Sequence, residues 1–182
     1  MGDSIRFMIN NGADVNKLLA GKHASALMVA IYAEEEDNIA ALLEGGANPN
    51  LPLTGEMALY GSPLTMATLS GRTQVMRRVI EAGADVNSSP VGKYGSALIA
   101  AAYIGEKDCV ECLIDAGANV NLQVENAPFA SALQAAKTPM LREDYVVIRG
   151  KDDKEYIEAC LETLPEKKAE VVRLLEQDEA TA

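Results

Sequence analysis

Two phrases recur along this chain at one shared spacing. GADVN stands at 12–16, GANPN at 46–50, GADVN at 83–87 and GANVN at 117–121, with offsets of 34, 37 and 34 residues. In phase with them run SALMVA at 25–30, SPLTMA at 62–67, SALIAA at 96–101 and SALQAA at 131–136, with offsets of 37, 34 and 35. A fixed period of this size means a small supersecondary unit that cannot cover its own apolar face, so neighbouring units must stack to share a core.

Each unit has a physical reading. Ser25, Ser62, Ser96 and Ser131 stand where a first helix should begin, with a hydroxyl able to accept from an orphan N–H of the first turn. Pro63 follows Ser62 at the first helical position, where its missing N–H costs nothing. Leu27, Leu64, Leu98 and Leu133 point inward, and Ala30, Ala67, Ala101 and Ala136 follow on the same face, small enough to let helices approach closely. Gly71 and Gly105 end this helix, with Glu34 in that place in the preceding unit. A second helix carries apolar residues at helical spacing: Ile39, Leu42 and Leu43; Val75, Met76, Val79 and Ile80; Cys109, Val110, Leu113 and Ile114. It stops at Gly12, Gly46, Gly83 or Gly117, placed for a left-handed cap. Asp14, Asn48, Asp85 and Asn119 follow, with side chains suited to bonding turn backbone, and eight to eleven residues then leave room for a hairpin-like extension.

These residues resemble the ankyrin repeat family, and in particular the ankyrin arrays common in fungal proteins. SPLTMAT at 62–68 and SALIAAA at 96–102 match the family phrase TPLHxAA, GADVN matches its closing phrase, and YGS at 60–62 and 94–96 matches the lead-in. The likeness covers about residues 4–137. The family's histidine is absent, with Met28, Thr65, Ile99 and Gln134 in its place, which weakens a bond within the unit but not the fold assignment. The resemblance implies an all-α, ankyrin-repeat α-solenoid of helix-turn-helix units with hairpin-like loops and a C-terminal helical cap. The array is expected over residues 1–137, as a partial first repeat, three full repeats and the start of a fifth, with an insertion and the cap over 138–182.

Both ends depart from the pattern. Residues 4–11 supply only a second helix, with Ile5, Met8 and Ile9 as its apolar face, so the chain is either part of a longer one or begins with a natural half-unit cap. After SALQAAK the phrases are lost. Tyr145–Ile148 is a β-prone run. Asp153–Leu164 reads as a helix with Tyr156, Ile157, Cys160, Leu161 and Leu164 on one face, which Pro165 breaks before a further helix carrying Val171, Val172, Leu174 and Leu175.

The net charge of -11 argues against a phosphate backbone or an anionic membrane as partner and permits a basic protein. The bland reading is that the acids keep the chain soluble. Three cysteines are too few and too odd in number for a disulfide framework, no apolar stretch approaches the roughly 20 residues of a membrane span, and no signal peptide is visible, so a cytoplasmic or nuclear setting is expected. The chain has one histidine, His23, and no phosphate-binding loop or nucleophile elbow. Cys109 and Cys112 have CxxC spacing without a second pair; Cys109 reads as a core residue and Cys112 as marginal to its helix. The expectation is a non-enzymatic protein without cofactor or metal, with a monomer favoured.

Carried over from the family, positions four, seven and eight after each serine face a concave groove. That places Tyr32, Met66, Leu69, Tyr103 and Ile104 in a partner-binding surface, with Tyr32, Leu69 and Tyr103 in line about 10 Å apart. The alternative is that these side chains lie against neighbouring repeats. A second ladder, His23, Tyr60, Tyr94 and Phe129, stands two residues before each serine on the hairpin arms, either stacking or contacting a partner. The expected function is thus binding of a protein partner through groove and hairpin tips. The alternative is a small-molecule binder or noncanonical enzyme of cyclase or isomerase type, with the 138–170 insertion as a lid carrying Asp144, Tyr145 and Arg149 over a pocket of a few hundred Å3.

Overall fold

A computed structural model describes residues 2–18, 25–51, 58, 60–88, 92–125, 127–144 and 154–179. Among these residues all regular structure is helical, and the β-prone run at 145–148 lies outside them. The elements are α1 (Gly2–Asn10), α2 (Ala26–Tyr32), α3 (Glu36–Glu44), α4 (Pro63–Leu69), α5 (Thr73–Glu81), α6 (Ala97–Ile104), α7 (Lys107–Asp115), α8 (Ala132–Lys137) and α9 (Lys154–Glu179).

Helices of six to nine residues, as α1 to α8 are, do not persist alone in water, where roughly 12–15 residues are needed. Local signals start and stop them, and packing holds them. Each of the four serines does what its place in the phrase predicts: its hydroxyl accepts from the N–H three residues on, at 3.2 Å for Ser25, 3.1 Å for Ser62, and 3.2 Å for Ser96 and Ser131. The missing histidine is partly replaced. Thr65 bonds the Ser62 hydroxyl at 3.0 Å, and Gln134 accepts from the Ala130 N–H at 2.7 Å. After the second helices, Gly12, Gly46, Gly83 and Gly117 all take left-handed backbone, with φ between 84° and 90°. Glu34 stands where later units have Gly71 and Gly105, and it adopts the same left-handed turn at φ 58°, the only non-glycine among the described residues to do so. The guanidinium of Arg72 grips that turn, bonding the Glu34 carboxylate at 2.8 Å and Glu36 at 3.2 Å.

Within a unit, α2 lies on α3, α4 on α5 and α6 on α7. Between units, the first helices touch in the order α2, α4, α6, α8, and the second helices in the order α1, α3, α5, α7. One apolar core runs through both rows, from Leu27 and Ile31 through Leu64, Ala67, Leu98 and Ala101 to Ala135. Cys112 belongs to it too. It is buried, not marginal as its sequence position suggests, because the helix face that carries Cys109 and Leu113 is wide enough to take it in.

A third set of bonds fixes the spacing. The Asn16 amide donates to the Gly46 carbonyl at 3.0 Å and accepts from the Asn48 N–H at 2.7 Å. Asn50 does the same for Gly83 and Asp85, and Asn87 for Gly117 and Asn119. The last residue of each of the first three GAxxN phrases thus ties its unit to the turn of the next.

Helix α9 corrects one expectation. Pro165 does not end a helix; it lies inside one that runs unbroken from Lys154 to Glu179. Proline removes one N–H from the ladder and normally stops a helix. Here Leu164, Lys168, Val171 and Leu175, at spacings of four, three and four, are buried in one line against α6, α7 and α8. That continuous buried face outweighs the one lost bond.

Replacing Asn87 by Ala removes two inter-unit hydrogen bonds at an exposed position and should destabilise the fold by about 1–2 kcal/mol, read as a lower urea midpoint with an unchanged slope.

Candidate interaction surface and its C-terminal clamp

The five residues assigned to the groove do not share one environment. Tyr32 ends α2 and is 54% exposed, whereas Leu69 is 1% and Tyr103 2% exposed. Met66 and Ile104 are also buried. The expected open stripe across three units therefore contracts to Tyr32. The reason lies in the neighbours: α4 has α2 on one side and α6 on the other, α6 has α4 and α8, and the segment after α8 closes over Tyr103. For Leu69 and Tyr103 the alternative reading, burial against neighbouring repeats, is the one observed.

The second ladder merges with the first. His23 lies outside the described residues. Tyr94 and Phe129 are buried, and Tyr60 is half-buried. Tyr103 sits between them, with ring centroids 6.1 Å from Tyr94 and 4.7 Å from Phe129, both tilted. Such geometry adds about 0.5–1.5 kcal/mol per pair beyond area burial. Burial, with the nearby Tyr32 hydroxyl, raises the Tyr60 pKa; burial and the negative charge of Asp144 raise that of Tyr94. The Tyr94 hydroxyl oxygen is buried without a hydrogen-bond partner among the described residues.

At the C-terminal end this aromatic row meets a polar clamp. The hydroxyl of Tyr103 donates to Asp144 Oδ2 at 2.5 Å, Lys93 Nζ donates to Asp144 Oδ1, and the Leu141 N–H donates to the Tyr103 oxygen at 3.4 Å. Lys93 also lies 5.6 Å from the Tyr94 ring centre. The ammonium of Lys168 sits 4.7 Å from the Tyr103 ring centre and donates to the carbonyls of Ala135, at 3.2 Å, and Thr138. Ala135 lies in the last turn of α8 and Thr138 caps it, where a cation complements the helix dipole. Burial pushes the Asp144 carboxyl up, but the bonds from Lys93 and Tyr103 and the Lys93 charge outweigh it and hold the pKa below the usual range. Burial and the Asp144 bond lift Tyr103 to about 12, so at neutral pH it is a fixed donor. Burial lowers Lys168 to about 8.

Sequence reasoning reached Asp144, but as a lid residue over a pocket. The structure gives it a different job: it bolts the segment after α8 to the loop before α6. Its partners Lys93 and Tyr103 carry no local signal, since they lie 51 and 41 positions from it in the chain. Tyr145 and Arg149, the other two lid candidates, lie outside the described residues. A cavity of about 380 Å3 does exist in this region, between Thr138–Met140 and the Leu161, Leu164 and Val172 side of α9. Asp144 is not among its lining residues. Among the described residues no cluster of three His, Cys, Asp or Glu could hold a metal, and no helix is long and apolar enough to cross a membrane. Burial raises the Cys112 thiol pKa, with Asp115 adding to the rise and Arg77 opposing it, which disfavours the reactive thiolate.

The ankyrin repeat family model matches residues 95–124, the stretch from Gly95 through α6, α7 and the GANVN turn, which supports the resemblance read from the repeated phrases. No curated protein matches the chain.

Asp144 has a depressed pKa in the fold, so its contribution is complete above the ordinary carboxylate value of 3.8 and fades as pH falls through the lower folded value. Asp144→Asn should cost about 1–3 kcal/mol at neutral pH. The gap between variant and wild type in urea unfolding should close as the medium is acidified below that value. Lys168 has the opposite window. The unfolded chain keeps its proton up to about 10.5 while the fold releases it near 8, so this group makes stability rise with pH between those values. Lys168→Met should abolish that rise, as seen by comparing urea midpoints at the two ends of the window, where Tyr103 is still protonated.

Proposed function

We propose that this chain is a protein-interaction module: an ankyrin-repeat α-solenoid over residues 1–137, capped by 138–182, that takes a protein partner on its concave face beside Tyr32 and at its hairpin tips. The observation that carries this reading is the exposure of Tyr32, at a first-helix position whose counterparts Leu69 and Tyr103 are buried. Tyrosine supplies a large contact at small entropic cost and is favoured at binding hot spots. The scaffold beneath it is held by shared core and by side-chain ties, so the ring is presented on a rigid base. The charge of -11 favours a partner with a basic face, steered in at long range. A cytoplasmic or nuclear setting suits three free thiols. Of the tips, residues 19–24, 52–57 and 89–91 lie outside the described residues; the last hairpin is closed by the Val124 N–H on the Ala130 carbonyl at 2.9 Å.

The alternative, a small-molecule binder or unusual enzyme with 138–170 as a lid, has less behind it. The cavity at α9 lies beside the last first helix, away from Tyr32, and Asp144 is committed to Lys93 and Tyr103.

Tyr32→Ala tests the interaction reading without touching the core. The variant should keep the wild-type melting temperature and lose at least roughly tenfold in affinity for proteins that the wild-type chain retains from a soluble extract, measured by quantitative pull-down. Equal retention of every such protein by both forms would sink the proposal. A combined Tyr32, Leu69 and Tyr103 variant is unsuitable, because the last two support the fold.

A further inference from the structure

Lys168 is a buried cation without a counter-ion. It is 6% exposed, on the inward line of α9. Its ammonium donates to two acceptors, the carbonyls of Ala135 and Thr138, and stands near the Tyr103 ring. None of these carries a formal charge. Among the described residues no carboxylate pairs with it, whereas Lys93 is paired with Asp144 and Lys137 with Glu176. Lysine is almost never buried this far unless paired, because neutral dipoles offset only part of the cost of taking an ion out of water. The end of α8 helps, but a helix terminus supplies about half a charge at most, and α8 has only six residues. The lowering of the Lys168 pKa to about 8 agrees: burial is its cause, with no neighbouring anion opposing it.

Beside this ammonium there is room. Lys168 is part of the wall of the cavity of about 380 Å3 between α9 and the segment after α8. That volume falls within the range of small-molecule sites, roughly 300–1,000 Å3. The apolar part of the wall is aliphatic, with Met140, Leu161, Leu164 and Val172, and no aromatic ring lines it. Its charged residues are Lys137 and Lys168, and no Asp or Glu is among them. The chain has 27 acidic residues against 16 basic ones, so this wall runs against the bias of the whole. Pro165 and Ala169, also in the wall, are exposed, which leaves the cavity open to solvent.

We propose that this cavity binds a small aliphatic monocarboxylate, of the medium-chain fatty acid class, with its carboxylate on the Lys168 ammonium and its hydrocarbon chain against Leu161, Leu164 and Val172. The ligand supplies the charge that Lys168 lacks and covers apolar wall on both sides of the cavity. One unpaired cation calls for one negative charge. A phosphate monoester would bring a second, and Lys137 already holds Glu176. Because the ligand touches both α9 and the segment after α8, its binding strengthens the attachment of the cap to the array. No reaction and no lid is involved, and Asp144 stays in its clamp. The site is independent of the concave face, since Tyr32 does not line it.

Octanoate is the probe, titrated into the full chain by calorimetry and located by methyl NMR of the isotopically labelled protein. The shifts should be centred on Met140, Leu161, Leu164 and Val172. From hexanoate to octanoate the affinity should rise about fourfold per methylene, as burial of each CH2 predicts. Octanol, which has the same chain without the charge, should bind at least roughly tenfold more weakly. Lys168→Met keeps an unbranched stem and removes the cation; it should abolish the preference for octanoate over octanol while still binding the alcohol. Should that variant fail to fold, Ala169→Trp, at an exposed position of the wall, serves in its place: it should keep the wild-type melting temperature and weaken both ligands by at least roughly tenfold. Tyr32→Ala should bind octanoate as the wild type does, which separates this site from the concave surface. An absence of shifts up to the solubility of octanoate, or shifts centred away from α9, overturns the proposal. So does equal binding of octanoate and octanol by the wild type, or a preference for octanoate that survives Lys168→Met.

Discussion

Three asparagine amides, at 16, 50 and 87, each clasp the glycine carbonyl and a turn N–H of the following unit. Each clasp contributes little by itself, about 1 kcal/mol per bond. What depends on it is register. The helices are too short to stand alone, and their inward leucines and alanines are useful only when the next unit arrives at the right height. With the turns held at one spacing, Leu64 and Ala67 meet α2 on one side and α6 on the other, and the core becomes continuous. Stability then comes largely from the contacts of each unit with its neighbours.

At the C-terminal end the chain stops repeating and begins to seal. The face of α9 carrying Val171 and Leu175 takes the place that a further helix pair would fill, and Lys168 supplies the cation that the end of α8 wants. The Asp144 clamp belongs to the same task. It ties the connecting segment back onto Tyr103, so the aromatic row that could have formed an open surface becomes a buried wall. The N-terminal edge has no such seal among the described residues, which is why α1 shows Phe7 and Met8 to solvent.

Much of this could be read from the sequence, for reasons that are local. The serine caps and left-handed glycines are legible because a cap is decided by three or four adjacent residues. Leu27, Ala67 and Cys109 are legible as core because the period fixes the face they share. The burial of Leu69 and Tyr103 was not, since it depends on how deeply the adjoining units cover the inner row, and that depth is a property of packing. Pro165 misled for a related reason: its local rule is sound, but the buried line through Leu164 and Lys168 overrides it. Lys93 was invisible because nothing near it in the chain announces a carboxylate arriving from beyond three helices.

The turn at Glu34 has a further consequence. A side-chain-bearing residue in left-handed backbone gives up about 1–2 kcal/mol that Gly71 and Gly105 do not. The fork of Arg72 offsets part of that through partly exposed ion pairs, typically about 1 kcal/mol or less each. Dissolved salt screens the fork and leaves the torsional cost untouched. The stack therefore contains, between the units of α2 and α4, a joint whose tightness follows ionic strength, and it sits where the acids of 34–37 crowd.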